Sequence, residues 1–251
     1  MNPNNLGGPV LIQGAMDVET ERLISWLEDP VEERQGPWTF VRGRLDGRDT
    51  VVGRTWIGMA NAAASTALAI QRYQPCCILN QGAAGGHHPD LHRGDILLGG
   101  EMVNLGSFRT PHRPTGRGCD PEGWEPFPVE VFRPGEGWQE CLALKGNPDL
   151  LEAARRAAPD YTGGRVVEGT IGSADQWNRE EDRIRWLWQH RGSWAEDMES
   201  FAAAQMAAAW GIPFLSVRIL SNHELHEEEY DRACGEVCQE FVRRILACLR
   251  P

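Results

Sequence analysis

Four short stretches of this 251-residue sequence carry side chains able to do chemistry, and each follows a run that reads as a β-strand. Gly14 to Glu19 offers a carboxylate near a helix start, where the helix dipole favours negative charge. Gly82 to Gly86 is a glycine-rich turn that lets a ligand approach the backbone closely. Gly172 to Asn178 presents the aromatic face of Trp177, and Ser221-Asn222 presents an amide that both donates and accepts hydrogen bonds. Met198 and Glu199 join them at the start of an alanine-rich helix. Ligands of open α/β sheets collect beyond the carboxyl ends of the strands, so these patches together form the candidate site.

The elements that must position them follow from periodicity. Pro9 to Gln13 is a short apolar strand feeding a helix from Asp17 to about Glu28, whose first turn is acidic (Asp17, Glu19, Glu21). Alternation over Thr39 to Leu45, an Asp46-Gly47 turn signal and a run at Thr50 to Arg54 predict a β-hairpin. Ala62 to Tyr73 is predicted helical. Cys76 to Leu79 is apolar without polar alternation, as in a strand buried on both faces, and it breaks into Asn80 to Gly86.

After Asp95 to Gly99, the segment from Leu105 to about Gly137 is rich in Pro, Gly, Arg and Trp, and is too long for a plain connector; a lid or an interface is expected. Its Arg109, His112, Arg113 and Arg117 suit a solvated excursion, a dimer contact or an acidic substrate end. The second half alternates again, with helices near Asn147 to Ala158, Arg179 to His190 and Asp197 to Trp210, and strands near Arg165 to Gly169 and Phe214 to Leu220. A last helix from about Glu227 to Leu249 carries Tyr230, Cys234, Val237, Phe241, Ile245 and Cys248 at spacings of three and four. The expectation is one α/β domain over residues 1–251, a three-layer sandwich around a mixed, mostly parallel central sheet.

Composition narrows the function. With 36 acids against 25 bases the net charge is −11, and seven acids between Glu224 and Glu240 face only Arg232, which disfavours a nucleic-acid partner. No stretch approaches the roughly 18 apolar residues of a membrane span, and the first charge comes only at Asp17, so a soluble cytoplasmic chain without a signal peptide is expected. Seven cysteines form no secreted-scaffold pattern and are expected to be reduced and mostly buried. His223, His226, Cys234 and Cys238, like His87, His88 and His92, superficially suggest metal ligands, but their spacing matches no strong zinc pattern and Cys234 and Cys238 fall on the apolar helical stripe.

Five motifs in order, Gly14-Ala15-Met16-Asp17-Val18-Glu19, Asn80 to Gly86 with Gly94-Asp95-Ile96, Ala174-Asp175-Gln176-Trp177, Asp197-Met198-Glu199 and Val217 to Asn222, resemble the methylthioadenosine/S-adenosylhomocysteine nucleosidases of the purine nucleoside phosphorylase superfamily. The resemblance spans nearly the whole chain. It implies hydrolysis of a purine ribosyl C–N bond without metal or organic cofactor, in a homodimer whose partner loop closes each site. It further implies that Glu19 is the general base for water, Arg218 helps hold water and carboxylate, Glu199 binds the ribose hydroxyls and Met198 packs on the sugar. Trp177 would stack on the purine beside Gln176, with Met16, Ala83, Ala84 and Gly85 close to the substrate.

Two positions depart from the pattern. Asn222 stands where the adenine-specific nucleosidases carry an aspartate that protonates N7, and some phosphorylases of the superfamily use asparagine there to bind 6-oxopurines. Leu79-Asn80-Gln81 lacks the arginine that holds phosphate in phosphorylases resembling the hexameric type, which favours water as nucleophile. A phosphorylase acting on 6-oxopurine nucleosides and a non-catalytic nucleoside-binding protein are the rival expectations.

Overall fold

The apolar run after Pro9 forms a fully buried strand, Val10–Gly14 (β1), in the computed structural model, which describes residues 7–249. A 3-10 turn, Asp17–Glu19, and a short helix, Glu21–Ser25 (α1), follow. The long helix expected here ends early, because Glu28–Gln35 (β2) is a mostly exposed strand pairing antiparallel with Trp38–Leu45 (β3). A polar edge strand has no apolar face to announce it, and its charges also discourage edge-to-edge pairing with other chains. The predicted hairpin is present: β3 pairs with Arg48–Arg54 (β4) across Asp46-Gly47, both at positive φ (50° and 79°), as the tight hairpin turn requires.

Met59–Tyr73 (α2) leads to Cys77–Gly86 (β5) and Ile96–Asn104 (β6). The segment expected as a loop contains two small hairpins, Phe108–Arg109 (β7) with Glu125–Pro126 (β8) and Val129–Arg133 (β9) with Gly137–Cys141 (β10). Arg109 pairs with Glu125 and Arg113 with Asp120, so these cations are spent inside the excursion. Ala143–Lys145 (β11) precedes Pro148–Ala157 (α3), whose N-cap Asn147 accepts from Asp149 N at 3.0 Å and Leu150 N at 3.2 Å. Then come Val166–Ser173 (β12), Glu181–Arg191 (α4), Ser193–Asp197 (β13), Ser200–Trp210 (α5), Phe214–Asn222 (β14) and Cys234–Cys248 (α6). The last helix starts later than expected because Glu228 is taken up by Arg93 N and His92, and His223 bridges to Glu228 in extended backbone.

The three-layer sandwich is corrected. Strand β14 pairs parallel with β5 along one edge and antiparallel with β6 along the other, while β6 pairs with β12, β12 with β13 and β13 with β5. Those five strands close into a barrel, and β1, β4, β3 and β2 extend from β5, with β11 on β6. The pairings of this sheet divide equally between parallel and antiparallel, so the sheet is mixed but not mostly parallel. Closure removes the free edges that β14 and β13 would otherwise expose, and all nine residues of β14 are buried.

Alternate strand residues feed opposite faces. Ile12, Leu79, Val217 and Ile219 pack with Leu150 and Leu151 of α3 and with Cys238, Phe241 and Ile245 of α6, whereas Leu11, Ile78 and Leu97 pack with Ile70 of α2 and Phe201 of α5. All seven cysteines are free, but only Cys77, Cys234 and Cys238 are buried and Cys119 is exposed. Among the described residues no helix is long and apolar enough to cross a membrane.

Candidate active site

At the end of β1 the chain turns at Gly14 and the Glu19 side chain folds back over the turn. Its Oε2 accepts from Ala15 N at 2.7 Å and Met16 N at 3.0 Å, and its Oε1 accepts from Ala83 N of β5 at 2.9 Å. The first two N–H groups follow the end of β1, and the third lies within β5, so one carboxylate ties the two strands together. Gly82 makes room for this arrangement: a Cβ there would lie 2.5 Å from Glu19 Oε1, and its φ of +153° suits only glycine well. Burial raises the Glu19 pKa above its ordinary value, while the Ala83 hydrogen bond and the charge of Arg218 oppose that shift.

Arg218 lies inside β14, 1% exposed. Its Nε donates to Asp197 Oδ2 at 2.6 Å and its Nη2 to Asn80 Oδ1 at 2.5 Å, with Glu199 Oε2 3.9 Å away. Asp197 closes β13 and also accepts from Ser173 Oγ, Ser200 Oγ and the Glu199 and Ser200 N–H groups. Glu199 is the N-cap residue of α5, and its Oε1 accepts from Gly58 N at 3.0 Å. Burial opposes the Arg218 charge, but Asp197, Glu199 and Glu19 together hold its pKa above the usual arginine range.

Glu199 is pushed up to about 8, first by burial and then by the neighbouring Asp197, with Arg218 pulling the other way. A carboxyl raised in the folded state keeps a proton that the unfolded chain releases, so its contribution to stability is complete below about pH 4.5 and lost as pH rises through about 8. Thermal melts should therefore show Tm falling over that window, and Glu199→Gln should flatten the fall. Parallel pH slopes for both proteins would contradict this placement of the proton.

The other end of the site is built around β5, which continues as a strand through Gly86, so the expected glycine turn is corrected to extended sheet. Gly85 stands abreast of Glu196 in β13 and Asn222 in β14, with Ala83 and Ala84 just before it. Asn222 Oδ1 accepts from Ser221 Oγ at 3.1 Å. Glu196 accepts from Asn178 N at 2.7 Å and from Asn178 Nδ2, and His87 Nε2 lies 3.2 Å from its Oε2. Trp177, 60% exposed, meets Tyr230 edge-on at 5.8 Å, and Arg179 pairs with Glu224 at 3.2 Å, so two loops meet above this end. Met16 and Met198 are half-buried and Gln176 is exposed.

The structure thus brings Glu19, Arg218 and Glu199 into one buried cluster and places Asn222 beside Gly85, with Trp177 on the loop that Glu196 anchors. Sequence reasoning passed over Glu196, kept Asn178 only as the end of the Gly172 to Asn178 patch, and took His87 only as a metal candidate. The missed signal is the acidic pair Glu196-Asp197 ending a strand too short and polar to stand out. The histidines once considered as ligands have other partners: His92 stacks on His226 at 4.4 Å, and His223 Nε2 meets His88 O at 3.0 Å. Among the described residues, no group of three or more His, Cys, Asp or Glu could hold a metal ion.

Comparison with known proteins adds to this geometry. A family model described as the phosphorylase superfamily matches residues 9–250. The chain is similar to the 5′-methylthioadenosine/S-adenosylhomocysteine nucleosidase of Geobacillus kaustophilus, at 30% identity over 252 residues covering 95% of this chain and 97% of the relative. The solved nucleosidase of the same description from Neisseria meningitidis, in complex with methylthio-immucillin-A, matches with a TM-score of 0.78 at 26% identity, covering 95% of this chain and 98% of that one. That of Colwellia psychrerythraea, in complex with adenine, matches with a TM-score of 0.78 at 26% identity, covering 96% of each chain.

Proposed function

The chain belongs to the phosphorylase superfamily, and we propose that it works as a nucleosidase of the methylthioadenosine/S-adenosylhomocysteine type, hydrolysing the N-glycosidic bond of a purine nucleoside or 5′-modified nucleoside. The observation that carries this reading is the buried trio of Glu19, Glu199 and Arg218 next to the extended Ala83 to Gly85 strand. Cleavage passes through an oxocarbenium-like sugar attacked by water. Glu19, with its raised pKa, takes the water proton, because a base works best when its pKa approaches the working pH. Glu199 accepts hydrogen bonds from the ribose hydroxyls, and Met198 packs on the sugar. Trp177 covers the purine face beside Gln176, and Asn222 donates to the base edge.

Water is favoured over phosphate by charge. Asn80 is taken up by Arg218, and the Gln81 amide donates to the Glu19 carbonyl, so neither adds a cation where a phosphate would sit. An entering phosphate would find Arg218 already paired to Asp197 at 2.6 Å. A panel of purine nucleosides assayed with and without inorganic phosphate tests the reading: base release should be independent of phosphate. Release that requires phosphate, or tight binding without release, would contradict it.

For the sugar, Glu199→Ala should erase most of the preference for ribosides over 2′-deoxyribosides in kcat/KM. An unchanged preference would remove Glu199 from the ribose site. The same reading includes a homodimer, with residues 105–137 contributing to the contact. Light scattering at micromolar concentration should report a dimer, and a fully active monomer would overturn this part.

A further inference from the structure

Resting on the nucleosidase reading, one step lacks a residue. When a purine leaves C1′ it takes the C–N electron pair, and a good leaving base receives a proton as the bond breaks. The amide of Asn222 donates hydrogen bonds but gives up no proton at neutral pH. The base end of the site does hold ionisable groups that the mechanism has not used.

Glu196 and Asn222 flank Gly85 in register across three adjacent strands. A Cβ on Gly85 would lie 3.5 Å from Asn222 Nδ2 and 3.6 Å from Glu196 Cγ, so the glycine leaves a notch between a carboxyl group and an amide. Glu196 also holds the backbone N–H and the side chain of Asn178, the residue after Trp177, which sets it under the loop assigned to the purine face. Both members of the Glu196–His87 pair are buried, at 7% and 1% exposure.

The hydrogen-bond inventory shows where this pair can hold a proton. Ser193 Oγ donates its only hydrogen to Ala195 O at 3.0 Å, so toward His87 Nδ1, 3.2 Å away, it can only accept. His87 Nδ1 is therefore the protonated nitrogen. Its Nε2 has no hydrogen-bond partner and faces Glu196 Oε2 at 3.2 Å. A proton on either atom would relieve the repulsion between the two lone pairs that face each other there, so the pair is a place where a proton can be held.

We propose that Glu196, sharing that proton with His87, is the general acid for the departing purine in place of the residue at position 222. As C1′–N9 breaks with its electron pair going to the base, the shared proton passes through Glu196 to the purine ring nitrogen facing it. The carboxylate left behind keeps its two Asn178 donors. Water oxygen bonds to C1′ and its proton goes to Glu19, and exchange with solvent carries the proton from Glu19 back to the Glu196–His87 pair. One water is added across the bond and the enzyme is restored.

The test separates proton delivery from mere support of the Asn178 loop. Glu196→Gln should lower kcat on adenosine- and inosine-type nucleosides by about 100-fold, while turnover of 7-methylguanosine, whose cationic base leaves without a further proton, changes by less than about threefold. Adding Asn222→Asp to Glu196→Gln puts a carboxylic acid on the other side of Gly85 and should recover at least about 10-fold of the loss. Equal losses on both substrate classes, or a double variant no faster than Glu196→Gln, would overturn the assignment. Base release by the unmodified enzyme with Glu196→Gln equally fast would also overturn it while leaving the nucleosidase reading intact; no release from any nucleoside by the unmodified enzyme would defeat that reading itself.

Discussion

Glu19→Gln is expected to lower kcat by about 100-fold or more while substrate affinity changes by only a few-fold. Glutamine is nearly the same size and its carbonyl oxygen can still accept from Ala83 N or from the Ala15 and Met16 N–H groups, though not from both sets at once. What it cannot do is take a proton. Stopped assays for free base give kcat, and binding of a non-hydrolysable nucleoside analogue gives affinity. A variant that turns over at the unmodified rate would remove Glu19 from the chemistry, and a variant that loses affinity in proportion to turnover would make it a binding group only. Glu19→Asp is a useful companion: it keeps a carboxylate but withdraws it from Ala83 N, so its rate should fall between the two.

The second large effect is on stability. Arg218→Met should cost about 3–5 kcal/mol, because it leaves Asp197 buried without the guanidinium that lies 2.6 Å from it. The same change removes the positive charge that opposes the burial of Glu19 and Glu199, so both carboxyls should hold their protons to still higher pH. For a chain of this size the expected fall in Tm is roughly 10 °C. Asp197→Asn added to Arg218→Met should return part of the lost Tm, since it removes the stranded charge. A fall within one or two degrees would mean that the ion pair contributes little to the fold and that water reaches the cluster.

What could be read in the sequence follows from how local each signal is. Pro9 to Gln13 and Phe214 to Leu220 announce strands because both are short, largely apolar runs, and β1 and β14 are buried throughout. The apolar stripe of α6 is equally local, with Cys238, Phe241 and Ile245 all facing the core. Barrel closure has no such signal: it depends on Val217, Arg218 and Ile219 of β14 finding Leu98, Leu97 and Ile96 of β6, pairings more than a hundred residues apart. Ser193–Asp197 escaped notice for a chemical reason, because its last two residues are acids that serve the site instead of the core.

The candidate site shows the same division. Glu19, Glu199, Arg218 and Asn222 were found through the order of motifs along the chain, and the structure gathers the first three around one charge. Glu196 and His87 belong together only after β5 and β13 pair, which no spacing along the chain reveals. The stretch Asn80 to Gly86 reads as a turn because glycine weakens strand propensity, yet Gly82 and Gly85 are in β5, and at Gly82 the Glu19 carboxylate requires a missing side chain.

The central claim, that water attacks C1′ of a purine nucleoside in this site, is tested most directly by running the reaction in oxygen-18 water without phosphate and weighing the sugar product. The account predicts free purine together with a sugar carrying the heavy oxygen at C1, in equal amounts and at a rate that added phosphate does not raise. A sugar 1-phosphate formed only when phosphate is present, or unlabelled sugar, would contradict it.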